Sequence, residues 1–323
     1  MIEYKRDGWR AALALAPMVL FMLVFTFWPI INAFIWAFLE GFSYGGQSIS
    51  HGELGGYKWI TGGTFIKVGI DNFKTVFSDD LFWLSLRNTA IIVIVSVPLT
   101  VIIGLLIAVG LNSIKKFQGF YQTIFFLPYV TNTIALGMVF ASLFHQNYGL
   151  VNKLFNNIGF AWINGTSSTG RTGVTFFSAL VVLTVYTVWN GLAFKIIVFL
   201  SGLQNIDKQY YQAAQIDAAS RGRVFRKITV PLLSPMILYI TITSFIGAFK
   251  AYSSVIAIFG TGKYGPAGGD SDLMITVVGY IYDKMKGTGT PYGVASAASL
   301  ILFFIILIIT ILQLQVSKKR VHY

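Results

Sequence analysis

Residues 205–235 read Asn205-Ile-Asp-Lys-Gln-Tyr-Tyr-Gln212-Ala213-Ala214-Gln-Ile-Asp217-Ala218-Ala219-Ser220-Arg221-Gly222-Arg-Val-Phe225-Arg-Lys-Ile228-Thr-Val-Pro231-Leu-Leu-Ser-Pro235. This is the one long polar stretch with a helical pattern, and it lies between two apolar spans. Leu203, Ile206, Tyr210 and Ala213 recur at steps of three and four, so they share one face of a short helix and leave Asp207, Lys208 and Gln209 largely off it. The small residues Ala213, Ala214, Ala218 and Ala219 admit close approach by another backbone. Ser220 is placed to cap a second short helix with apolar positions Val224, Phe225 and Ile228, which Pro231 is expected to stop. The expected unit is a helix, a bend between Asp217 and Ser220, and another helix. In an apolar chain such an island is a docking surface on one side of a membrane.

Composition carries the membrane half of that argument. Of 323 residues, 55% are hydrophobic and only 11% charged, against roughly 25% charged in soluble domains. The chain is an integral membrane protein. It has no cysteine, which removes disulfides, thiol catalysis and cysteine-ligated metals from consideration.

Working outward, Ala11 to Leu39 contains no charged residue and is longer than the ~20 positions that cross hydrocarbon. It exceeds the apolar core of a signal peptide and continues through Phe25, Phe27, Trp28 and Pro29, so an uncleaved first span is expected. Further spans are expected at 88–113, 121–144, 174–200, 232–259 and 292–316, with a coupling segment at 201–231. The predicted fold is all-α, with six transmembrane helices and both termini on one side. Thirteen Lys and Arg fall on the side that holds the island and the termini, and nine on the other. By the positive-inside rule the island faces the cytoplasm. The net charge of +12 is thereby explained by topology, and nucleic acid is not an expected partner.

Gln212-Ala-Ala, Asp217-Ala-Ala and Phe225-Arg-Lys-Ile-Thr-Val-Pro231 resemble the "EAA" loop of permease subunits of binding-protein-dependent ABC importers. Val68-Gly-Ile-Asp-Asn-Phe73, Arg87-Asn-Thr89, Phe126-Leu-Pro-Tyr129, Tyr148-Gly-Leu-Val-Asn152, Trp189 and Leu200-Ser-Gly-Leu-Gln204 are similar, in this order, to the branch that imports maltose, multiple sugars and glycerol phosphate. The resemblance implies a cytoplasmic helix-turn-helix between helices 4 and 5 that couples to an ATPase through Gln212, Ala213, Ala214, Asp217, Ala218, Ser220, Arg221 and Gly222. It also implies a second homologous permease, two ATPase subunits that bind ATP and Mg, a periplasmic or extracellular sugar-binding protein, and a bacterial or archaeal cell membrane. Gln212 stands where the family usually has Glu. Ala218 replaces the usual turn Gly, which suggests that this turn need not adopt a positive φ there.

The chain lacks what would make it a catalyst. Gly262-Lys263 is followed by Tyr264, and Ala257 stands where a phosphate-binding loop has its first Gly. His51, His145 and His322 are far apart in sequence and fall on both sides of the membrane, so neither a metal nor a catalytic set is expected. Lys195 and Lys250 lie within expected spans, where an ammonium costs a few kcal/mol unless it pairs, snorkels or meets water. With Trp189, Asn190, Tyr186 and Tyr252 they are candidates to line a sugar pathway, since aromatic faces stack on pyranoses while amides and hydroxyls bind their OH groups. Bundle packing explains the aromatic residues equally well. The alternative function is a secondary transporter or channel for a small polar solute, for which the island has no purpose.

Overall fold

A computed structural model describes residues 8–42, 57–58, 64–65, 67–114, 118–155, 160–163, 173–260, 264–265, 272–286 and 292–318. Its helices in chain order are α1 (Gly8–Phe38), α2 (Asp71–Ser78), α3 (Asp80–Ser113), α4 (Gln118–Val130), α5 (Thr133–Leu143), α6 (Leu150–Leu154), α7 (Phe176–Gln204), α8 (Lys208–Ile216), α9 (Arg221–Leu232), α10 (Ser234–Phe249), α11 (Ser253–Phe259), α12 (Val277–Lys286) and α13 (Tyr292–Lys318). Four of them, α1, α3, α7 and α13, are long and apolar enough to cross a bilayer. The count rises to six if α4 with α5, bent by 98°, and α9 with α10, bent by 68°, each form one broken span. The chain is therefore a multi-pass membrane protein.

Two compact units are distinguished, Met1–Phe82 with Tyr280–Phe304, and Trp83–Gly279 with Ile305–Tyr323. In the first, Leu39–Glu40 pairs antiparallel with Lys67–Val68. The Asn72 amide donates to the carbonyls of Ala37 and Leu39, both at 3.0 Å. Gly293 leaves room for this amide, because a Cβ there would lie 2.7 Å from the Leu39 carbonyl oxygen. The Asp71 carboxylate meets Lys74 at 2.8 Å and Lys67 at 3.1 Å. Nearby, Tyr280 Oη donates to Asp79 at 2.9 Å and Lys284 pairs with the same carboxylate at 2.8 Å. Burial and the adjoining carboxylate push the Tyr280 phenol up, so it stays a donor.

The second unit uses its own asparagines in the same way. Asn88 donates to the carbonyls of Leu273 and Ile275, both at 3.1 Å, and Thr89 Oγ1 accepts from Val277 N at 3.0 Å. Asn152 donates to Gln146 and Phe160 and accepts from the Trp162 indole at 2.7 Å. Three of the short motifs read from the sequence thus contain buried amides that tie loop backbone to helices, replacing hydrogen bonds that irregular backbone otherwise lacks.

The segment after α7 differs in detail from its sequence reading. Helix α8 begins only at Lys208, capped by Asp207, whose carboxylate accepts from Gln209 N at 2.9 Å. Tyr210 and Ala213 face outward, and Ala214 is the buried residue of α8, 6% exposed. The expected apolar face is thus rotated by one position. Ala218 does adopt a left-handed conformation, φ 50°, contrary to the expectation drawn from its side chain. Around it Ala219 N bonds to Ala214 O at 2.9 Å and Ala218 N to Gln215 O at 3.1 Å, the paired bonds of a Schellman ending. Two satisfied carbonyls hold the alanine in a region that glycine enters freely. Ser220 has the extended backbone of a cap, but its side chain makes no cap bond.

Pro231 does not stop the second helix, which continues to Leu232. The ladder widens upstream into a π turn, Phe225–Thr229, in which Val230 N reaches Phe225 O. A wider turn relieves the clash between a proline ring and the carbonyl four residues back. The same device precedes Pro29, where the π turn Leu23–Phe27 ends with Trp28 N bonding to Leu23 O.

Candidate functional site

The break between α4 and α5 follows from Asn132. Its side chain accepts from the amides of Ile134 at 2.8 Å and Ala135 at 3.3 Å, so a new helix starts there and the chain turns. The last carbonyls of α4 need other donors. Thr131 Oγ1 donates to Leu127 O at 2.8 Å, and the Asn190 amide of α7 donates to Pro128 O at 3.3 Å. One helical turn earlier on α7, Tyr186 Oη donates to Thr133 O at 3.0 Å. Two residues four apart on one helix therefore clamp both sides of the break.

A second break lies between α10 and α11. Lys250 N and Ala251 N close the end of α10 on Gly247 O and Ala248 O. The Ala251 carbonyl accepts from Thr276 Oγ1 at 2.7 Å. The short helices beyond the two breaks, α5 and α11, pack together where Gly137 meets Ala257.

The breaks border one cavity of about 560 Å³, within the range of small-ligand sites. Tyr186, Asn190, Lys195, Lys250 and Tyr252 all line it. Trp189 does not. It is 39% exposed and packs against Phe140 with ring centres 5.4 Å apart, the bundle-packing role. Tyr186 is only 2% exposed and its hydroxyl is committed to the helix break, so it shapes the wall and has little surface to offer. Lys195 is half-buried, its ammonium donating to Gly191 O at 3.2 Å. Gly191 and Gly104 make room for this side chain: a Cβ on the first would lie 3.1 Å from Nζ, and on the second 3.2 Å from the lysine Cβ. Lys250 is exposed at the end of α10. Neither lysine has a carboxylate within ion-pair distance among the described residues.

Sequence reading missed the hydroxyl lining. Ser96 and Thr100 of α3 and Thr243 and Ser244 of α10 face the same cavity. Ser96 is 1% exposed, and its Oγ is buried without a hydrogen-bond partner among the described residues. The usable signal was the hydroxyl pair Ser96 and Thr100, four apart in the apolar middle of a span whose other polar residues lie at its ends. No cluster of three or more His, Asp or Glu that might hold a metal occurs among the described residues. The site offers hydroxyls, an amide, aromatic edges and two cations: equipment for holding a polar solute.

Residues 100–322 match the family described as binding-protein-dependent transport system inner membrane component. The chain is 31% identical over 336 residues to the arabinooligosaccharides transport system permease protein AraP of Bacillus subtilis, covering 97% of this chain and 93% of AraP. It is 29% identical over 319 residues to the lactose transport system permease protein LacF of Rhizobium radiobacter, covering 98% and 96% of the two chains. Its fold is similar to a chain of a bacterial ABC transporter involved in import of the acidic polysaccharide alginate, with TM-score 0.72, 21% identity and coverage of 98% and 96%. That transporter has also been solved in complex with an alginate pentasaccharide-bound periplasmic protein.

Proposed function

The chain belongs to the family of binding-protein-dependent transport system inner membrane components, and on that premise we propose that it is the permease subunit of an ATP-driven importer of an oligosaccharide. Transport is by alternating access. An external binding protein delivers the sugar, and the cavity between the two helix breaks receives it. Broken helices at the middle of a span are the usual way a transporter exposes backbone and polar groups to a solute.

The observation that carries this reading is the pairing of that cavity with the exposed island after α7. Gln212, Ala213, Asp217, Ala218, Ser220, Arg221 and Gly222 are all exposed. Tyr211 Oη lies 3.3 Å from Thr229 Oγ1, bracing the two arms of the island on each other. A braced, exposed helix and turn suits transmission of force from a separate ATPase. In this reading the island and both termini are cytoplasmic, the ATPase pair holds ATP and Mg, and a second permease completes the pathway. The segment 201–231 is its coupling loop within a single transmembrane domain. The chain itself is a transport component and not the ATPase.

The test is reconstitution of this chain with its partner permease, ATPases and binding protein in liposomes, with labelled oligosaccharide outside the binding-protein face. Uptake requires ATP and the binding protein. Uptake driven by an ion gradient in the absence of ATP would refute the assignment.

A further inference from the structure

The cavity carries a charge pattern that neutral sugar binding does not require. Lys195 and Lys250 come from different helices, α7 and the end of α10, and reach one space whose lining contains no Asp or Glu among the described residues. Lys195 is half-buried with only the Gly191 carbonyl as a partner, so its desolvation is not offset by an ion pair within the described chain. Two glycines, Gly104 and Gly191, are shaped around it, which makes the lysine a built part of the wall. Ser96 adds a buried, unpartnered hydroxyl at this wall, which marks it as a place that receives a polar ligand group of either charge type. A neutral saccharide is bound well by hydroxyls and amides alone. An ammonium also donates to sugar hydroxyls, but keeping Lys195 half-buried in a span costs free energy that an uncharged donor in its place avoids, and a carboxylate on the ligand offsets that cost.

We propose that this cavity selects an anionic oligosaccharide, one bearing carboxylate groups, with Lys195 and Lys250 pairing with charges on successive or neighbouring sugar units. The proposal rests on the carbohydrate-import reading above and names the substrate class of that site. Lys195, fixed by its glycine neighbours, sets the position of one carboxylate. Lys250, exposed at the helix break, meets a second. Tyr252 and the hydroxyls of Thr243 and Ser244 serve the uncharged face of the sugar.

The chain has no cysteine, so a single Ser253→Cys on the cavity wall reports the local field by its reaction rates. The assembled transporter in nanodiscs is treated with an anionic sulfonatoethyl or a cationic trimethylammonioethyl methanethiosulfonate, and modification is read from the mass of this chain. Relative to a small thiol in solution, the anionic reagent is expected to be favoured by about tenfold or more, as fields focused in a cleft of one sign produce. Lys195→Gln with Lys250→Gln should abolish the preference, and Lys195→Arg with Lys250→Arg should retain it. Equal rates for the two reagents, or a preference that survives the double Gln variant, would overturn the proposal. A second arm offers the transporter pools of acidic and of neutral oligosaccharides. Uptake from the acidic pool alone supports the proposal, and uptake from the neutral pool alone overturns it. Uptake from neither pool with the reagent preference intact would remove the carbohydrate reading and leave the anion site standing.

Discussion

Gly137 on α5 faces Ala257 on α11 so closely that a Cβ at Gly137 would stand 2.8 Å from the Ala257 carbonyl carbon. The contact fixes the two short helices that follow the two breaks, and so sets the cavity wall. Gly137→Ala is expected to force the helices apart, costing on the order of 1 to 3 kcal/mol as other overpacked contacts do. A thermal unfolding scan in detergent should show the loss. An unchanged midpoint would mean that the helices are not locked there.

Ala218 sustains its φ of 50° through the two bonds that end α8. Replacing it with Gly removes the steric cost of the left-handed region and adds unfolded-chain entropy, for a net gain of about 0.5 to 1 kcal/mol. Ala218→Val should do the reverse. Amide hydrogen exchange at Ala219, whose N–H closes the turn, is the direct readout. Faster exchange in the Gly variant would contradict the strained-turn description.

Asp71 is held low, to about 2, first by its hydrogen bond to Lys74, then by that to Lys67 and by the charge of both. Because the folded value lies below the unfolded one near 3.8, the stabilising contribution is complete above pH ~4 and is lost as pH falls towards 2. An NMR titration of the Asp71 carboxyl carbon in micelles should show a midpoint near 2, moving up in Lys74→Met. A midpoint that ignores the lysine substitution would show the pairing to be absent in solution.

Orientation is open to a separate check through Arg221, which is exposed on the island. A single Arg221→Cys in intact cells should resist a membrane-impermeant thiol reagent and react once the membrane is opened. Reaction from outside would reverse the topology drawn from the Lys and Arg counts.

Much of the fold was legible because it follows from local rules. Runs of apolar residues longer than a bilayer mark spans, and the polar island interrupts them at 205–231. The helix breaks were harder, since Thr131-Asn132-Thr133 reads as a short polar patch within an apolar run until the Asn132 side chain is seen to accept two amides. A helix cap and a buried donor look alike in sequence. Tyr186, Asn190, Lys195, Lys250 and Tyr252 share one cavity, and they stood out in the sequence because ionisable and amide groups in a span must find water or partners. Trp189 was not separable from them, as an aromatic ring serves packing and stacking equally well. Ala218 misled because the side chain reports conformational preference, while the two hydrogen bonds that overrule it depend on where α8 ends.

The central claim is that the island docks on a separate ATPase. Ala214 is buried within the chain, whereas Ala213 is the small exposed residue of that helix and so the one to probe. The decisive measurement is oxidative crosslinking of Ala213→Cys with single cysteines placed around the cleft of the co-expressed ATPase, followed by ATP-dependent uptake of Ala213→Trp. The account expects a disulfide to the ATPase and none to the external binding protein, with the Trp variant reaching the membrane but losing ATP-driven uptake. Full uptake by the Trp variant with no crosslink to the ATPase would contradict it, and would favour a carrier that works without one.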